Sequence, residues 1–283
     1  MRELSIVLAA LYLRGGPRPI ELRRSAWPEV LKALRRCSAD LLSASDALRD
    51  AGMWAEALVL AEPGLLSWAE RKYEKGSVLT PADAEYPCRW VRVLGSGAPP
   101  ALWKVAEIPP IPLIGIVGSR HIPRAVARFC TEVARTGVEL GFGIVSGRAE
   151  GCDRAGAKGA GDTLVEIVPY GLDHLRGRAG CVLSVCAPDE SFSSAAAMER
   201  NALIYAAASH TVVGHARFKE GGTWHGAVHA VRNRLSRLLV RRSEEPGMRA
   251  LAGLGGAWLD RPSDLYTSLK AAGPQGELFD HAV

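Results

Sequence analysis

The chain has 283 residues, with 35 Lys and Arg against 30 Asp and Glu and a net charge of +5. Hydrophobic residues make up 48% of the sequence and charged residues 23%, which is typical of globular proteins and excludes disordered, collagen-like and coiled-coil chains. The length predicts about two domains. The small positive charge does not by itself establish a nucleic-acid partner.

The first part of the chain, residues 1–78, is predicted to form a small helical domain. Apolar residues recur every three or four positions over residues 4–74, which is the spacing of helices that bury one face. The opening stretch MRELSIVLAALYLRGG is interpreted as an amphipathic core helix and not as an export signal. Glu3 interrupts its charged start, and Arg14 stands where a small-residue cleavage site would be.

Two further patterns bear on cellular location. Apolar runs stay well below the roughly 18 residues that span a bilayer, and the six cysteines lack CxxC spacing. We therefore expect reduced, mostly buried thiols and a cytoplasmic protein that makes no membrane contact.

The rest of the chain is predicted to be a connecting segment followed by an α/β domain. Residues 79–112 contain seven prolines, which disfavour helices and leave room for one or two short strands. Over residues 113–283, short β-branched runs alternate with helical patterns, which predicts a Rossmann-like parallel sheet with helices on both faces. The predicted strands are 113–117, 143–146, 163–169, 181–186, 211–214 and 238–241, and the predicted helices are 123–140, 153–161, 195–208, 223–234 and 246–253.

Three glycine-containing loops follow predicted strands and precede predicted helices. Because the carboxyl ends of parallel strands meet at one edge of a sheet, we expect these loops to converge where such sheets bind ligands. A helix N-terminus presents free N–H groups, and arginine adds a planar fork of donors, so the loops favour a phosphate-bearing ligand. Asp153 is interpreted as a helix cap. The loop residues are Gly118, Ser119 and Arg120; Ser146, Gly147 and Arg148; and Gly221, Gly222 and Thr223.

Other chemistries lack their motifs. The sequence contains no dinucleotide fingerprint GxGxxG after its first strand, no GxxxxGK[ST] and no GxSxG, which argues against NAD-dependent redox chemistry, ATP hydrolysis and serine-hydrolase chemistry. His225 and His229 lie four residues apart, but the glutamate of HExxH is missing. We therefore predict no metal site and no cofactor.

Trp224 is expected either to stack on a base or to wedge a helix against the sheet.

Four motifs in order resemble those of the DprA/Smf family of DNA-processing proteins. The chain reads IGIVGSR, IVSGRAEGCDRAGAKGA, PYGLD and ERNALI, where that family typically reads VAIVGSR, VVSGLARGIDAAAHRGAL, GxGLD and RRNRIIAGLS. The resemblance covers roughly residues 75–242. It implies a Rossmann-like domain that binds single-stranded DNA through phosphate contacts, without catalysis, forms a homodimer and helps to load the recombinase RecA during DNA uptake.

The resemblance also implies individual site residues. The GSR turn corresponds to residues 118–120, and Ser146 and Gly147 correspond to the second loop. Lys158 occupies the basic position of the family's HRGA, and Arg200 and Asn201 match its RN pair. The chain departs from the family where Glu150 replaces a basic residue, Ala157 replaces a histidine and GGTWHGA replaces SGSLITA.

These departures leave two alternatives open. A charge-balanced pocket beside Glu150 suits a mononucleotide, which favours a nucleotide-sensing or regulatory, antitoxin-like relative with a toxin partner in a phage-defence or toxin–antitoxin system. The second alternative is a LOG-type nucleotide phosphoribohydrolase, a class whose PGGxGTxxE loop supplies a glutamate. In this chain no acid follows the glycines within a turn, and Glu220 is expected to point elsewhere, so that hydrolysis lacks its catalytic group.

Overall fold

A computed structural model describes residues 1–13, 20, 22–36, 40–177 and 180–271. The chain forms two compact units. The first consists of Met1–Ile108 and Tyr170–Phe192, and the second of Pro109–Pro169 and the described residues from Ser193 onward. The division at residues 78 and 112 into a helical domain, a connecting segment and an α/β domain stays a prediction. Arg14 lies outside the described residues.

The N-terminal part of the first unit is helical, as the apolar spacing predicts. Its helices are α1 (Arg2–Leu13), α2 (Trp27–Arg36), α3 (Ala44–Asp50), α4 (Trp54–Leu60) and α5 (Leu65–Glu74). α1 packs against α4 and α5, and every residue from 5 to 13 is buried. A helix enclosed on all sides needs no polar face, so α1 is a central core helix and the amphipathic interpretation is wrong for it.

The first unit also contains three antiparallel strands and a further helix. These are β1 (Val78–Leu79), α6 (Cys88–Leu94), β2 (Leu102–Val105) and β6 (Cys181–Ser184). β2 pairs antiparallel with both β1 and β6, whereas the sequence pattern places β6 in a parallel sheet. α6 is unexpected in the proline-rich segment. It forms because the prolines flank CRWVRVL without interrupting it, and Pro87 directly precedes the helix, where a missing N–H is harmless.

The second unit contains the parallel sheet that the sequence predicts. Its strands are β3 (Leu113–Val117), β4 (Gly143–Ser146), β5 (Leu164–Val168), β7 (His210–Val213), β8 (Arg237–Arg241) and β9 (Ala257–Leu259), in the order β5-β4-β3-β7-β8-β9. All five neighbouring pairs are parallel. The helices are α7 (Arg124–Glu139), α8 (Cys152–Ala160), α9 (Ser194–Ala207), α10 (Gly221–Arg232), α11 (Pro246–Gly253) and α12 (Leu265–Ala271). The predicted Rossmann-like α/β fold is confirmed.

The core of this unit forms around the central strands. Ile114, Ile116 and Ile144 are fully buried, and Leu265 and Leu269 of α12 belong to the same cluster. β9 and α12 were not predicted, since three and seven residues are too short to establish a periodic pattern. Within the part of the chain that the structure describes, no helix has the length and apolar character to cross a membrane.

β3 is the strand at which the order of the sheet reverses. The chain places β4 and β5 on one side of β3 and later returns to place β7 on its other side. In open α/β sheets a crevice forms outside the carboxyl ends of the two strands at this point. The loops that follow β3 and β7 are therefore positioned to form a ligand site.

Candidate functional site

A cavity of about 360 Å³ lies in the second unit, beyond the carboxyl ends of β3 and β7. This volume falls in the range of small-ligand pockets. The walls come from the loop after β3, the start of α8, the middle of α9 and the segment that leads into α10. Eight of the predicted site residues line it: Gly118, Ser119, Arg120, Arg200, Asn201, Gly221, Gly222 and Thr223.

Two residues of the second predicted loop, Ser146 and Gly147, do not line the cavity. Ser146 is buried, and its hydroxyl donates to the carbonyl oxygen of Ile116 over 2.7 Å. The N–H of Gly147 donates to the carboxylate of Asp153 over 3.1 Å. Both residues therefore hold neighbouring parts of the fold together, and their polar groups are already used within the protein.

The basic residues Arg148 and Lys158 do not line the cavity either. Arg148 forms an ion pair with Glu166 of β5. Burial raises the pKa of Glu166, and the nearby Arg148 guanidinium opposes that shift. Lys158 is exposed in the last turn of α8, about 9 Å along the helix axis from the first residue of that helix. These two side chains do not line the cavity, and their part in phosphate binding stays a prediction.

The loop after β3 packs tightly onto α8. A Cβ atom at Gly118 would lie 2.7 Å from the Cβ of Cys152 and 3.2 Å from the backbone nitrogen of His215, so only glycine fits there. The N–H of Cys152 donates to the carbonyl oxygen of Ser119 over 3.3 Å, and the N–H of Ser119 donates to the carbonyl oxygen of His215 over 3.0 Å. These contacts fix the backbone that carries the Ser119 side chain.

Asp153 and Arg200 form the charged floor of the cavity. Each is 6% exposed, and Nη1 of Arg200 lies 4.0 Å from Oδ2 of Asp153. Arg200 also donates to the carbonyl oxygen of Ile167 over 3.3 Å. The sequence predicts a phosphate contact at Arg200, and the structure places its guanidinium in the buried floor of the cavity beside Asp153. The positive charge of Arg200 therefore acts on the cavity from its buried floor.

Asp153 is more than the helix cap that the sequence suggests. It is the second residue of α8, and its Oδ2 accepts the N–H groups of Gly147 and Ala149 over 3.1 and 3.3 Å. Burial raises the pKa of Asp153 to about 6, although the charge of Arg200 and these two N–H donors favour the ionised form. The floor therefore holds a carboxyl group that titrates close to neutral pH.

The start of α10 presents backbone donors to the cavity. Gly221 has a φ of 72°, a left-handed conformation that glycine adopts without strain. Among the described residues no side chain caps this 12-residue helix, whose N-cap residue is Glu220. Its first N–H groups are therefore available to an anion. The side-chain amide of Asn201 donates to the carbonyl oxygen of Gly222 over 3.4 Å and ties α9 to this turn.

Four exposed residues form the rim of the cavity: Arg120, His121, Arg217 and Glu220. A carboxylate oxygen of Glu220 lies 3.8 Å from Nη1 of Arg217. Glu220 is one of the lining residues, and its side chain is exposed beside Arg217. The rim thus presents cationic groups for an anion, with one carboxylate that weakens the local positive potential.

Tyr205 is a wall residue that the sequence analysis missed. It is 2% exposed, and its hydroxyl forms no hydrogen bond to the described protein atoms. Burial raises its pKa, so the phenol is neutral. Tyr205 lies four residues after Asn201 on α9, which places both on one helix face. That spacing is the signal that could have identified it.

Trp224 is a packing residue and not part of the cavity wall. It is 8% exposed and meets the ring of Phe218 edge-on, with 5.1 Å between the ring centroids. The burial of the ring argues against base stacking, and the wedge against the sheet stays a prediction. His229 bonds through its ring to Asn233 over 3.1 Å. Within the described residues, no group of three His, Cys, Asp or Glu side chains could hold a metal ion.

Comparison with known proteins places these features in context. The sequence profile of the family described as DNA recombination-mediator protein A matches residues 77–245. The structure is similar to DNA processing protein A from Streptococcus pneumoniae, with a TM-score of 0.70 and 18% identity over 94% of this chain and 96% of that chain.

It is also similar to DNA processing protein A from Helicobacter pylori, the subject of a study of its single-stranded DNA binding mode. There the TM-score is 0.59 and the identity 20%, over 69% of this chain and 96% of that chain. At these identities the likeness shows a shared fold. No curated protein sequence gives a significant match to the chain.

Proposed function

Because the chain belongs to the DNA recombination-mediator protein A family, we propose that it binds single-stranded DNA and holds a backbone phosphate in the cavity beyond β3 and β7. The related Helicobacter pylori protein is described as binding single-stranded DNA. The proposed role is non-catalytic binding in DNA processing. Contacts to the phosphate backbone are independent of base sequence, so the proposal predicts little preference among sequences.

The observation that carries the proposal is the convergence of donors on one cavity. The loop of residues 118–120 supplies a hydroxyl and a guanidinium, and the start of α10 supplies backbone N–H groups and the positive end of the helix dipole. Arg217 adds charge at the rim. A phosphodiester carries one negative charge and acceptor oxygens only, and this combination of donors suits it.

The exposed Arg120 allows the electrostatic part of the proposal to be measured. Fluorescence anisotropy would be recorded with a labelled oligothymidylate, with duplex DNA and with thymidine monophosphate over a series of salt concentrations. We expect single-stranded DNA to bind more tightly than the other two, with log K falling by about 0.7 per log unit of salt for each phosphate neutralised. Arg120→Ala should weaken binding about tenfold and reduce that slope by about 0.7.

Arg135→Ala is the matched control, because Arg135 is an exposed arginine on α7 that pairs with Glu132 and does not line the cavity. It removes the same net charge and should leave affinity within about twofold. Equal losses for Arg120→Ala and Arg135→Ala would show a non-specific effect of charge. A salt-independent affinity would contradict phosphate binding altogether.

A second candidate ligand is a free mononucleotide. The cavity has a volume of about 360 Å³ and contains the carboxyl groups of Asp153 and Glu220, which suit a compact ligand with amino groups better than a long polyanion. Competition decides between the two. Displacement of oligothymidylate by a nucleoside monophosphate at similar concentrations of phosphate groups favours a nucleotide-sensing role, whereas displacement only at a large excess favours DNA.

Two further parts of the proposal concern assembly. Family resemblance suggests a homodimer and a recombinase partner. Light scattering on the purified protein, with and without oligothymidylate, tests the first, and recombinase loading onto coated single strands tests the second. A protein that stays monomeric at all concentrations would refute the homodimer. Recombinase loading that the protein leaves unchanged would refute the recombinase partner.

A further inference from the structure

Behind the cavity wall, three side chains form a continuous hydrogen-bonded series. Oγ of Ser119, which lines the cavity, lies 2.8 Å from Nδ1 of His215. Nε2 of the same ring lies 2.7 Å from a carboxylate oxygen of Glu245. His215 is 9% exposed, so its ring nitrogens are occupied chiefly by these two partners. The series connects a ligand-facing hydroxyl to a half-exposed acid.

The carboxylate determines where the imidazole carries its hydrogen. An ionised carboxylate can only accept hydrogen bonds, so Nε2 of His215 must carry a hydrogen and donate it to Glu245. In the neutral ring Nδ1 then has a lone pair and accepts the hydroxyl hydrogen of Ser119. In that state the Ser119 oxygen presents only lone pairs to the cavity, which repel the oxygens of a phosphate.

Protonation of His215 reverses the direction of that bond. With hydrogen on both nitrogens, Nδ1 donates to Oγ of Ser119, and the hydroxyl hydrogen turns either to the carbonyl oxygen of His215, 3.4 Å away, or to a ligand in the cavity. We propose that His215 and Glu245 are positioning residues for phosphate binding: Ser119 donates to a bound phosphate only when His215 is doubly protonated, so that binding takes up one proton. This inference rests on the proposed function of the cavity as a phosphate site.

Two charged groups from the surrounding elements lie near His215. Glu245 precedes α11, and Arg241 ends β8. Nη2 of Arg241 lies 3.8 Å from the second oxygen of Glu245, and its Nε donates to the carbonyl oxygen of Gly214 over 2.8 Å. Glu245 is thus the direct partner of the ring, and Arg241 pairs with that carboxylate.

Two thiols, from α7 and α8, lie beside Gly214, the residue that precedes His215. A Cβ atom at Gly214 would lie 2.5 Å from the sulfur of Cys130 and 2.9 Å from that of Cys152. A hydrogen bond with Cys130, together with burial, raises the pKa of Cys152. Cys152 therefore stays uncharged near neutral pH and adds no charge there.

Nitrogen NMR of the full chain labelled at histidine tests the proposal directly. In the free protein at about pH 8, we expect His215 to be neutral with hydrogen on Nε2 and none on Nδ1. Addition of inorganic phosphate at about pH 7 should increase the fraction of His215 rings that carry hydrogen on both nitrogens. A free protein with hydrogen on Nδ1 at about pH 8, or a bound phosphate that leaves this fraction unchanged, would overturn the inference.

Variants at Ser119 and His215 distinguish the proposed role of these two residues from the titration of Asp153 on the cavity floor. Loss of the hydroxyl in Ser119→Ala should weaken phosphate binding about tenfold at about pH 6 and less than twofold at about pH 8. His215→Asn places an amide near the former Nδ1, where it can donate at any pH, so it should retain binding with a flatter pH profile. Equal losses for Ser119→Ala at both pH values would contradict the proposal.

The two probes distinguish this inference from the proposed function. If inorganic phosphate protonates His215 but oligothymidylate does not bind, the phosphate site stands and the DNA role fails. If oligothymidylate binds tightly in the cavity and His215 stays neutral, the DNA role stands and the positioning role is refuted. If neither probe binds, both are refuted.

Discussion

Asp153→Asn replaces a buried carboxylate on the cavity floor with a neutral group of the same shape. Burial raises the pKa of Asp153 from 3.8 to about 6, and two pKa units correspond to about 3 kcal/mol. Because the folded protein holds this proton more tightly than the unfolded chain, the stabilisation is present below about pH 4 and is lost as pH rises through about 6. Asparagine stays neutral throughout and keeps an oxygen for the N–H groups of Gly147 and Ala149.

We therefore expect Asp153→Asn to stabilise the protein by up to about 3 kcal/mol near pH 7.5 and by almost nothing near pH 4. Urea denaturation at the two pH values measures the difference. Asp264→Asn is the control, since this carboxylate lies at the surface and pairs with Arg261, which holds its pKa below the usual value. It should bring no gain at either pH.

The opposite result has a clear meaning. Arg200 lies 4.0 Å from the Asp153 carboxylate, and breaking a buried ion pair can cost 3–5 kcal/mol. If Asp153→Asn destabilises the protein near pH 7.5, attraction to Arg200 outweighs the desolvation of the carboxylate. That outcome would refute the raised pKa and the reasoning built on it.

Three other substitutions test the cavity. Gly147→Ala would place a Cβ 2.6 Å from the guanidinium carbon of Arg200, so it should cost about 1–3 kcal/mol in urea denaturation and weaken phosphate binding; unchanged binding would show that the floor does not matter to the ligand. Gly118→Ala crowds Cys152 in the same way and should destabilise by a similar amount, and normal stability would contradict the tight packing described for that loop. Glu220→Gln removes a rim carboxylate and should strengthen oligothymidylate binding about twofold, whereas weaker binding would indicate that the acid contacts the ligand.

The sheet was predictable because its strands are continuous apolar runs with clear ends. β3 matches its predicted bounds of 113–117, since Pro112 precedes the run and Gly118 ends it. α11 likewise matches 246–253, with Pro246 at its first position. α6 was missed because a count of prolines over the whole segment conceals the proline-free stretch between Pro87 and Pro99, in which the seven-residue helix forms.

The candidate site was predictable where backbone alone forms it. The loop at residues 118–120 and the start of α10 follow from the rule that strand ends carry the site. The partners of the charged side chains could not be predicted from the sequence. Arg148 pairs with Glu166 and Arg200 with Asp153, and in each pair the two residues come from different elements. Spacing along the chain does not encode these contacts.

The register of β7 beside β3 has a consequence for how the protein matures. The cavity draws on residues near position 118 and on residues near position 220, which come together only after the returning strand has inserted in the sheet. A nascent chain that has not yet added β7 and α10 thus has no complete pocket. Since a ligand that binds only the native state shifts the folding equilibrium by mass action, occupancy should protect the whole second unit, not just its loops, from proteolysis.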